Sequence, residues 1–84
     1  MRAAEEDGEM ITGEQVRAAR KLLGWSQLTL ALEAGLNQTT VVKFERGEGR
    51  SSVLSASAIR RTLEGAGVEF LEDEHGVRLR KGRP

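Results

Sequence analysis

The sequence contains no cysteine and only one histidine, His75. Without cysteine the chain can form neither a disulfide framework nor a thiolate zinc site, and a single histidine cannot supply a recognisable set of metal ligands. We therefore expect no metal and no other cofactor. The fold must be held together by packing alone.

Long apolar runs are also missing, and residues 1–10 are acidic where a signal peptide would be basic and then apolar. These absences predict a soluble, cytoplasmic protein that makes no contact with a membrane. Residues 1–10 also have low hydrophobicity, which predicts a disordered acidic tail. At 84 residues the chain is expected to form one domain, and a second subunit would enlarge its modest core.

Net charge is absent too, because 13 basic residues balance 13 acidic ones. The charges are unevenly distributed, however. Acidic residues gather before Ile11, whereas residues 13–61 carry eight Lys or Arg against four Glu. A basic domain of this kind is compatible with nucleic acid as a partner but does not by itself indicate one.

Helices are predicted within residues 11–66 from capping residues and from apolar side chains spaced three and four apart. Thr12 and Gln15 match a capping box, and the helix that they begin runs to about residue 23. A later helix, residues 53–64, is capped by Ser52. The positions expected to face the core are Val16, Ala19, Leu22, Leu23, Leu30, Ala31, Ala34, Val41, Phe44, Ala56, Ile59, Leu63 and Ala66.

Between these helices, residues 26–47 hold two short helices joined by a tight turn. Ser26 is a good N-cap for the first, which Gly35 ends, and Asn37 is expected to cap the second, residues 38–45. Two short helices separated by three or four residues around a glycine form the helix-turn-helix pattern.

Residues 67–81 change to a period of two and predict a β-hairpin. The expected opposite pairs are Glu72 with Val77, Phe70 with Leu79, and Glu69 with Arg80. An isolated hairpin is marginal in water, so its apolar face packs either on the helices or on the same hairpin of a second subunit, and we expect the second. The dimerisation residues would be Val68, Phe70, Leu71, Val77 and Leu79.

The motif resembles that of the Xre-type, phage-repressor-like helix-turn-helix regulators. The matching residues are Ser26-Gln27, Leu30-Ala31, Ala34-Gly35-Leu36, Thr40-Val41 and Phe44-Glu45 followed by Gly47, and similar flanking segments extend the resemblance over most of residues 11–80. It implies a mainly α fold, a lambda-repressor-like DNA-binding domain of four to five helices, to which the C-terminal β-hairpin is added.

The resemblance further implies that the helix beginning at Gln38 enters the major groove of double-stranded DNA. The residues expected to contact bases are Gln38, Thr39, Val42 and Lys43. Gln can pair with adenine, Lys can donate to guanine, and the methyl groups of Thr and Val can contact thymine. The alternative is that these residues form only the solvated surface of a packing helix.

Other residues are expected to hold the protein on the DNA backbone or to hold the domain together. The phosphate-contacting candidates are Gln27, Asn37, Thr40, Arg46, Arg50 and Arg17, with ordinary solvent-exposed polar side chains as the alternative. Arg20 and Glu45 match a structural ion pair of the family. Trp25 is expected to pack in the core rather than on a base.

These expectations predict a dimeric transcriptional regulator, a repressor that occludes a promoter at an inverted repeat. We expect no enzyme, because no base stands beside Ser26 to activate it as a nucleophile. The alternative function is that of a protein interaction module, or of an antitoxin-like protein that binds a partner of unknown identity. Exposure of Leu28, Leu32 or Leu71 would be its sign.

Overall fold

The computed structural model describes residues 11–47, 53–71 and 76–80, which form four helices followed by a two-stranded antiparallel hairpin. The elements are α1 (Gly13–Leu23), α2 (Gln27–Ala34), α3 (Gln38–Arg46), α4 (Val53–Gly65), β1 (Val68–Phe70) and β2 (Val77–Leu79). The expected mainly helical fold with a C-terminal hairpin is confirmed. The predicted acidic tail, the cap at Ser52, and Glu72 and His75 of the hairpin lie outside the described residues.

The first two helices begin with the side-chain caps that the sequence predicts. The Thr12 hydroxyl accepts a hydrogen bond from the backbone N–H of Gln15 at 3.0 Å, while the Gln15 side-chain oxygen accepts one from the N–H of Thr12 at 2.9 Å. Ser26 accepts from the N–H of Thr29 at 3.0 Å. These bonds satisfy backbone donors that have no partner within the helix.

The start of α3 differs from the prediction. Asn37 has the extended backbone of an N-cap residue, and its carbonyl oxygen accepts from the N–H of Thr40 at 3.0 Å, but its side chain makes no capping hydrogen bond. The predicted N-cap position of Asn37 is therefore confirmed, but the capping hydrogen bond comes from its backbone and not from its side chain. The Asn37 side-chain oxygen accepts no hydrogen bond from the backbone N–H groups in the first turn of α3.

One side of every helix contributes to a single apolar core. The largest fully buried side chains are Leu30, Ile59, Leu63, Val16, Val41 and Val68. Trp25 is partly buried and packs against this core, as expected. Leu22 does not, since its side chain is 43% exposed. At about 100° per residue it falls beyond the edge of the buried stripe, so its predicted core position is wrong.

The hairpin is paired two residues out of the predicted register. Val68 lies opposite Leu79 and Phe70 opposite Val77, which leaves Glu69 opposite Arg78. A shift by two keeps every side chain on its predicted face, because strand side chains alternate with a period of two. The acidic residue of β1 therefore still meets a basic one, with 3.0 Å between Glu69 and Arg78.

Contacts with the helices account for the observed register. Arg80 lies at the end of α4, where its guanidinium donates to the carbonyl oxygen of Glu64 at 2.8 Å and its N–H to that of Gly67. At the other end of the second strand, the Gln15 side chain donates to the carbonyl oxygen of Gly76 at 3.2 Å. Both contacts are distant in sequence, so strand periodicity alone does not reveal them.

The apolar face of the hairpin packs on the helices of its own chain. Val68 is completely buried, and Phe70 and Val77 are partly buried against the core, whereas Leu79 is 46% exposed. The sequence allows packing on the helices or on a second subunit, of which the second is expected. In the structure the apolar face packs on the helices. Val68 is therefore unavailable to a second subunit in this conformation. None of the helices in the described part of the chain is long and apolar enough to cross a membrane.

Candidate nucleic-acid interface

The helix-turn-helix consists of α2, a three-residue turn and α3. Gly35 ends α2 with a left-handed backbone, φ 72°, and the N–H of Leu36 then donates to the carbonyl oxygen of Ala31 at 2.8 Å. This closure reverses the chain within two residues, as a left-handed C-cap commonly does. Leu36 is partly buried against the core, so the turn is fixed both by hydrogen bonds and by packing.

The two sides of α3 have opposite character. Val41 is fully buried and Phe44 is 8% exposed, and both belong to the core. The predicted base-contacting residues lie on the other side, where Gln38, Thr39 and Lys43 are exposed and Val42 is half-buried. At about 100° per residue these four cover an arc of about 140° that excludes both core residues. The structure therefore brings the four predicted base-contacting residues together on one surface.

That outward surface carries the functional groups required to read base edges. The Gln38 amide has donors and an acceptor, the Thr39 hydroxyl can act as either, and the Lys43 ammonium is a donor. Val42 adds only methyl groups. Together they can address adenine, guanine and the thymine methyl group in a major groove, which is wide enough to admit a helix.

The start of α3 adds further polar groups to this surface. Asn37 is exposed and Thr40 half-buried. Because the Asn37 side chain makes no capping bond, its amide is not committed to the helix. Backbone N–H groups at the start of a helix and neighbouring polar side chains are common ligands of DNA phosphates. Both residues thus remain placed for the predicted phosphate contacts.

Gln27, another predicted phosphate contact, belongs to a hydrogen-bonded group that joins three helices. Arg20 of α1 donates to both carboxylate oxygens of Glu45 in α3, at 2.7 and 3.1 Å, and Gln27 of α2 donates to one of them at 3.1 Å. Arg20 also donates to the Trp25 carbonyl oxygen at 2.9 Å. The Arg20 and Glu45 side chains are only 12% and 5% exposed, so the structure contains a largely buried, two-pronged ion pair.

The bond to Glu45 changes what Gln27 can offer. One of its two amide N–H groups donates to Glu45 within the protein, so a single N–H and the amide oxygen are what the side chain can offer to a phosphate or to water. The resemblance to the family indicates Gln27 as a phosphate contact, but it does not indicate that Gln27 bonds to Glu45. Glu45 lies 18 positions away, so no local pattern signals this bond.

The three arginines predicted to contact phosphates lie in different parts of the chain. Arg17 is exposed on α1, one turn after Gly13 and one turn before Arg20, on the flank of α1 that faces α3. Arg46 is exposed in the last turn of α3. Arg50 lies outside the described residues. Among the described residues no group of three or more acidic or histidine side chains is arranged to hold a metal ion.

A protein-family model described as helix-turn-helix, of the Xre and lambda-repressor type, matches residues 16–70. This match covers more than half of the chain, and it includes α2, the turn and α3 completely. No curated protein matches the chain. The family is one of DNA-binding transcriptional regulators rather than of enzymes. With its buried α3 core, its glycine-closed turn and its polar outer face, the chain belongs to the Xre-type helix-turn-helix family.

Proposed function

We propose that the protein binds double-stranded DNA at specific sequences by placing α3 in the major groove. The observation that carries this proposal is the division of α3 into a buried apolar side and an exposed side formed by Gln38, Thr39, Val42 and Lys43. A polar outer side is common to surface helices, so the support comes from its place on the second helix of a helix-turn-helix, within the residues 16–70 that the family model matches. Those side chains read the bases, while Gln27, Asn37, Thr40, Arg46, Arg50 and Arg17 hold the phosphates.

We further propose that two copies bind an inverted repeat and repress transcription by occluding a promoter. Two-fold symmetric helix-turn-helix dimers place their recognition helices about 34 Å apart, one turn of DNA. The surface proposed for self-association is the part of the hairpin that its own helices leave accessible, in which Leu79 is the most exposed apolar side chain and Phe70, Leu71 and Val77 are partly exposed. Dimerisation would join two half-sites, each of which is weak alone.

The experiment for DNA recognition begins with selection of bound sites from random duplex DNA. The dissociation constant is then measured over a range of salt concentrations for the selected duplex and for a shuffled duplex of the same composition. We expect the selected duplex to bind at least about 10³-fold more tightly at physiological salt. Affinity for both should fall log-linearly with salt as phosphate contacts release counterions. Equal binding of the two duplexes contradicts the proposal.

The dimer proposal is tested by sedimentation equilibrium of the wild type and of Leu79→Asp. A charge at an exposed position is tolerated in the folded monomer but opposes burial between subunits. We expect a dimeric wild type, a monomeric variant, and a selected site that contains two inverted half-sites. A monomeric wild type that binds an asymmetric site contradicts this part of the proposal.

A second candidate function rests on two exposed leucines in α2. Leu28 and Leu32 are one helical turn apart, on one face, and are 48% and 70% exposed. This exposure favours a surface for a partner protein, as in an antitoxin. The test is affinity capture with the wild type and with a variant carrying Leu28→Ser and Leu32→Ser. A protein held only by the wild type, with DNA affinity equal in both, supports this function, and identical captured sets contradict it.

A further inference from the structure

Gly13, the first residue of α1, lies directly against the backbone of α3. A β-carbon built on Gly13 would be 2.5 Å from the carbonyl oxygen of Phe44 and 2.6 Å from that of Glu45. Real β-carbons essentially never approach other atoms so closely, and backbone oxygens cannot move aside as the end of a flexible side chain can. Only glycine therefore allows α1 and α3 to meet at this distance.

Arg20 contacts the same end of α3 from a second point on α1. It follows Gly13 by seven residues, which places the two on one face of α1, about 10 Å apart along its axis. Its guanidinium holds the Glu45 carboxylate at 2.7 and 3.1 Å. Gly13 and Arg20, here termed the α1 clamp, thus hold the last turn of α3 by one backbone contact and one two-pronged ion pair.

We infer that the α1 clamp positions α3 for DNA recognition and that Gly13 is a positioning residue within it. This inference rests on the proposed function. The nine residues of α3 form one short helix, so a displacement of its last turn also moves its first turn, where Gln38 and Thr39 lie. Hydrogen bonds to base edges tolerate only a few tenths of an ångström in length. A side chain at Gly13 therefore weakens base recognition without touching DNA.

The experiment compares Gly13→Ala with a matched control, Gly65→Ala. Both glycines lie in helices, but a β-carbon on Gly65 meets nothing within 4 Å. Alanine is the better helix former, so it should be tolerated at both positions wherever space allows. We expect Gly13→Ala to lower the ratio of specific to shuffled DNA affinity by about tenfold, the loss of one base contact, and Gly65→Ala to leave it unchanged.

A second readout uses the free protein, so that it does not depend on DNA binding. We expect Gly13→Ala to shift the backbone amide resonances of residues 38–46 in an ¹⁵N-correlated spectrum, and Gly65→Ala to leave them in place. If the wild type binds no selected duplex, the proposed function fails while these spectra still test the clamp. Unshifted α3 amides together with wild-type DNA discrimination in Gly13→Ala overturn the inference.

Arg20→Lys tests the other half of the clamp. It replaces Gly13→Ala as the test variant if circular dichroism shows that Gly13→Ala does not fold. Lysine keeps the charge but cannot make the two-pronged contact with Glu45. We expect a folded variant with reduced DNA discrimination and shifted α3 amides. A folded Arg20→Lys protein with wild-type discrimination and unshifted amides overturns the clamp.

Discussion

The two ends of α3 are built in opposite ways. At its C-terminal end Phe44 is packed in the core, the Glu45 carboxylate is held by Arg20 and Gln27, and Gly13 rests on the carbonyl oxygens of the last turn. At its N-terminal end Asn37, Gln38 and Thr39 are exposed, and the Asn37 side chain forms no cap. Both ends are attached to the core, but the C-terminal end uses its polar groups within the protein, whereas the N-terminal end leaves several polar side chains exposed.

This difference teaches how a domain with only modest positive charge can recognise DNA. We expect precision to come from the rigid attachment of the C-terminal end of α3, since base-reading groups must be held in place before contact. In the proposed function, affinity is expected to come from polar side chains near the start of α3, such as Asn37, whose side chain makes no capping bond. Substitutions at the two ends should therefore separate stability from recognition.

The largest expected effect is at the C-terminal end of α3, where Glu45→Ala removes one partner of the buried ion pair. Arg20, whose side chain is 12% exposed, is then left as a buried charge without its carboxylate. We expect the free energy of unfolding to fall by about 3–5 kcal/mol, measured by urea denaturation. The contact of Gln27 with α3 is lost at the same time.

The control for that change is Glu69→Ala, which removes the carboxylate of the hairpin ion pair. The distance to Arg78 is 3.0 Å, but the two side chains are 43% and 63% exposed. Solvent screening limits such a pair to about 0.2–1 kcal/mol. Losses of equal size in the two variants would mean that burial does not distinguish these ion pairs. The ion pair at the C-terminal end of α3 would then contribute no more to stability than a surface pair.

An intermediate effect is expected on recognition at the outward side of α3. Gln38→Ala and Lys43→Ala should each reduce discrimination between the selected and the shuffled duplex by about 1–3 kcal/mol, the usual contribution of a good base contact. Because both side chains are exposed, stability should change by no more than about 0.5 kcal/mol. Fluorescence anisotropy titrations and urea denaturation measure the two quantities.

Arg78→Ala is the matched control for Lys43→Ala, since it also removes an exposed basic side chain, in this case from the hairpin. We expect its discrimination to equal that of the wild type. Should Arg78→Ala and Lys43→Ala lower discrimination by the same factor, the loss would reflect positive charge in general and not a base contact by α3.

The smallest expected effects compare the starts of α2 and α3. Ser26 caps its helix through a hydrogen bond to the N–H of Thr29, so Ser26→Ala should destabilise the protein by about 1 kcal/mol. Asn37 makes no such bond, so Asn37→Ala should cost only a few tenths of that amount. Thermal denaturation of the two variants side by side measures the difference. A loss at Asn37 as large as that at Ser26 would show that its side chain does cap α3.

Local patterns in the sequence are sufficient to predict much of this molecule. Side-chain caps at Thr12 and Ser26, left-handed glycines after the first three helices, and three-and-four apolar spacing all act between near neighbours. They place the helix boundaries within one or two residues. The division of α3 into a core side and an outward side follows from the same periodicity, whereas the candidate base contacts on the outward side follow from the resemblance to the family.

Apart from the exposure of Leu22 and the missing side-chain cap at Asn37, the features that escaped prediction depend on partners distant in the chain. The hairpin register depends on contacts of Arg80 and Gly76 with the helices, and the role of Gln27 depends on Glu45. The close approach of Gly13 to α3 spans more than thirty residues. A glycine at a helix start has many uses, so the residue type alone does not indicate the backbone that it must accommodate.

Repeating the site selection with Lys43→Gln tests the central claim, that the outward side of α3 reads bases, most directly. Lysine donates to guanine, whereas glutamine pairs bidentately with adenine. We predict that the preferred base changes at the position that Lys43 contacts, from guanine to adenine, while the other positions of the selected site stay the same. A Lys43→Gln protein that binds DNA and selects the wild-type sequence throughout would contradict the claim.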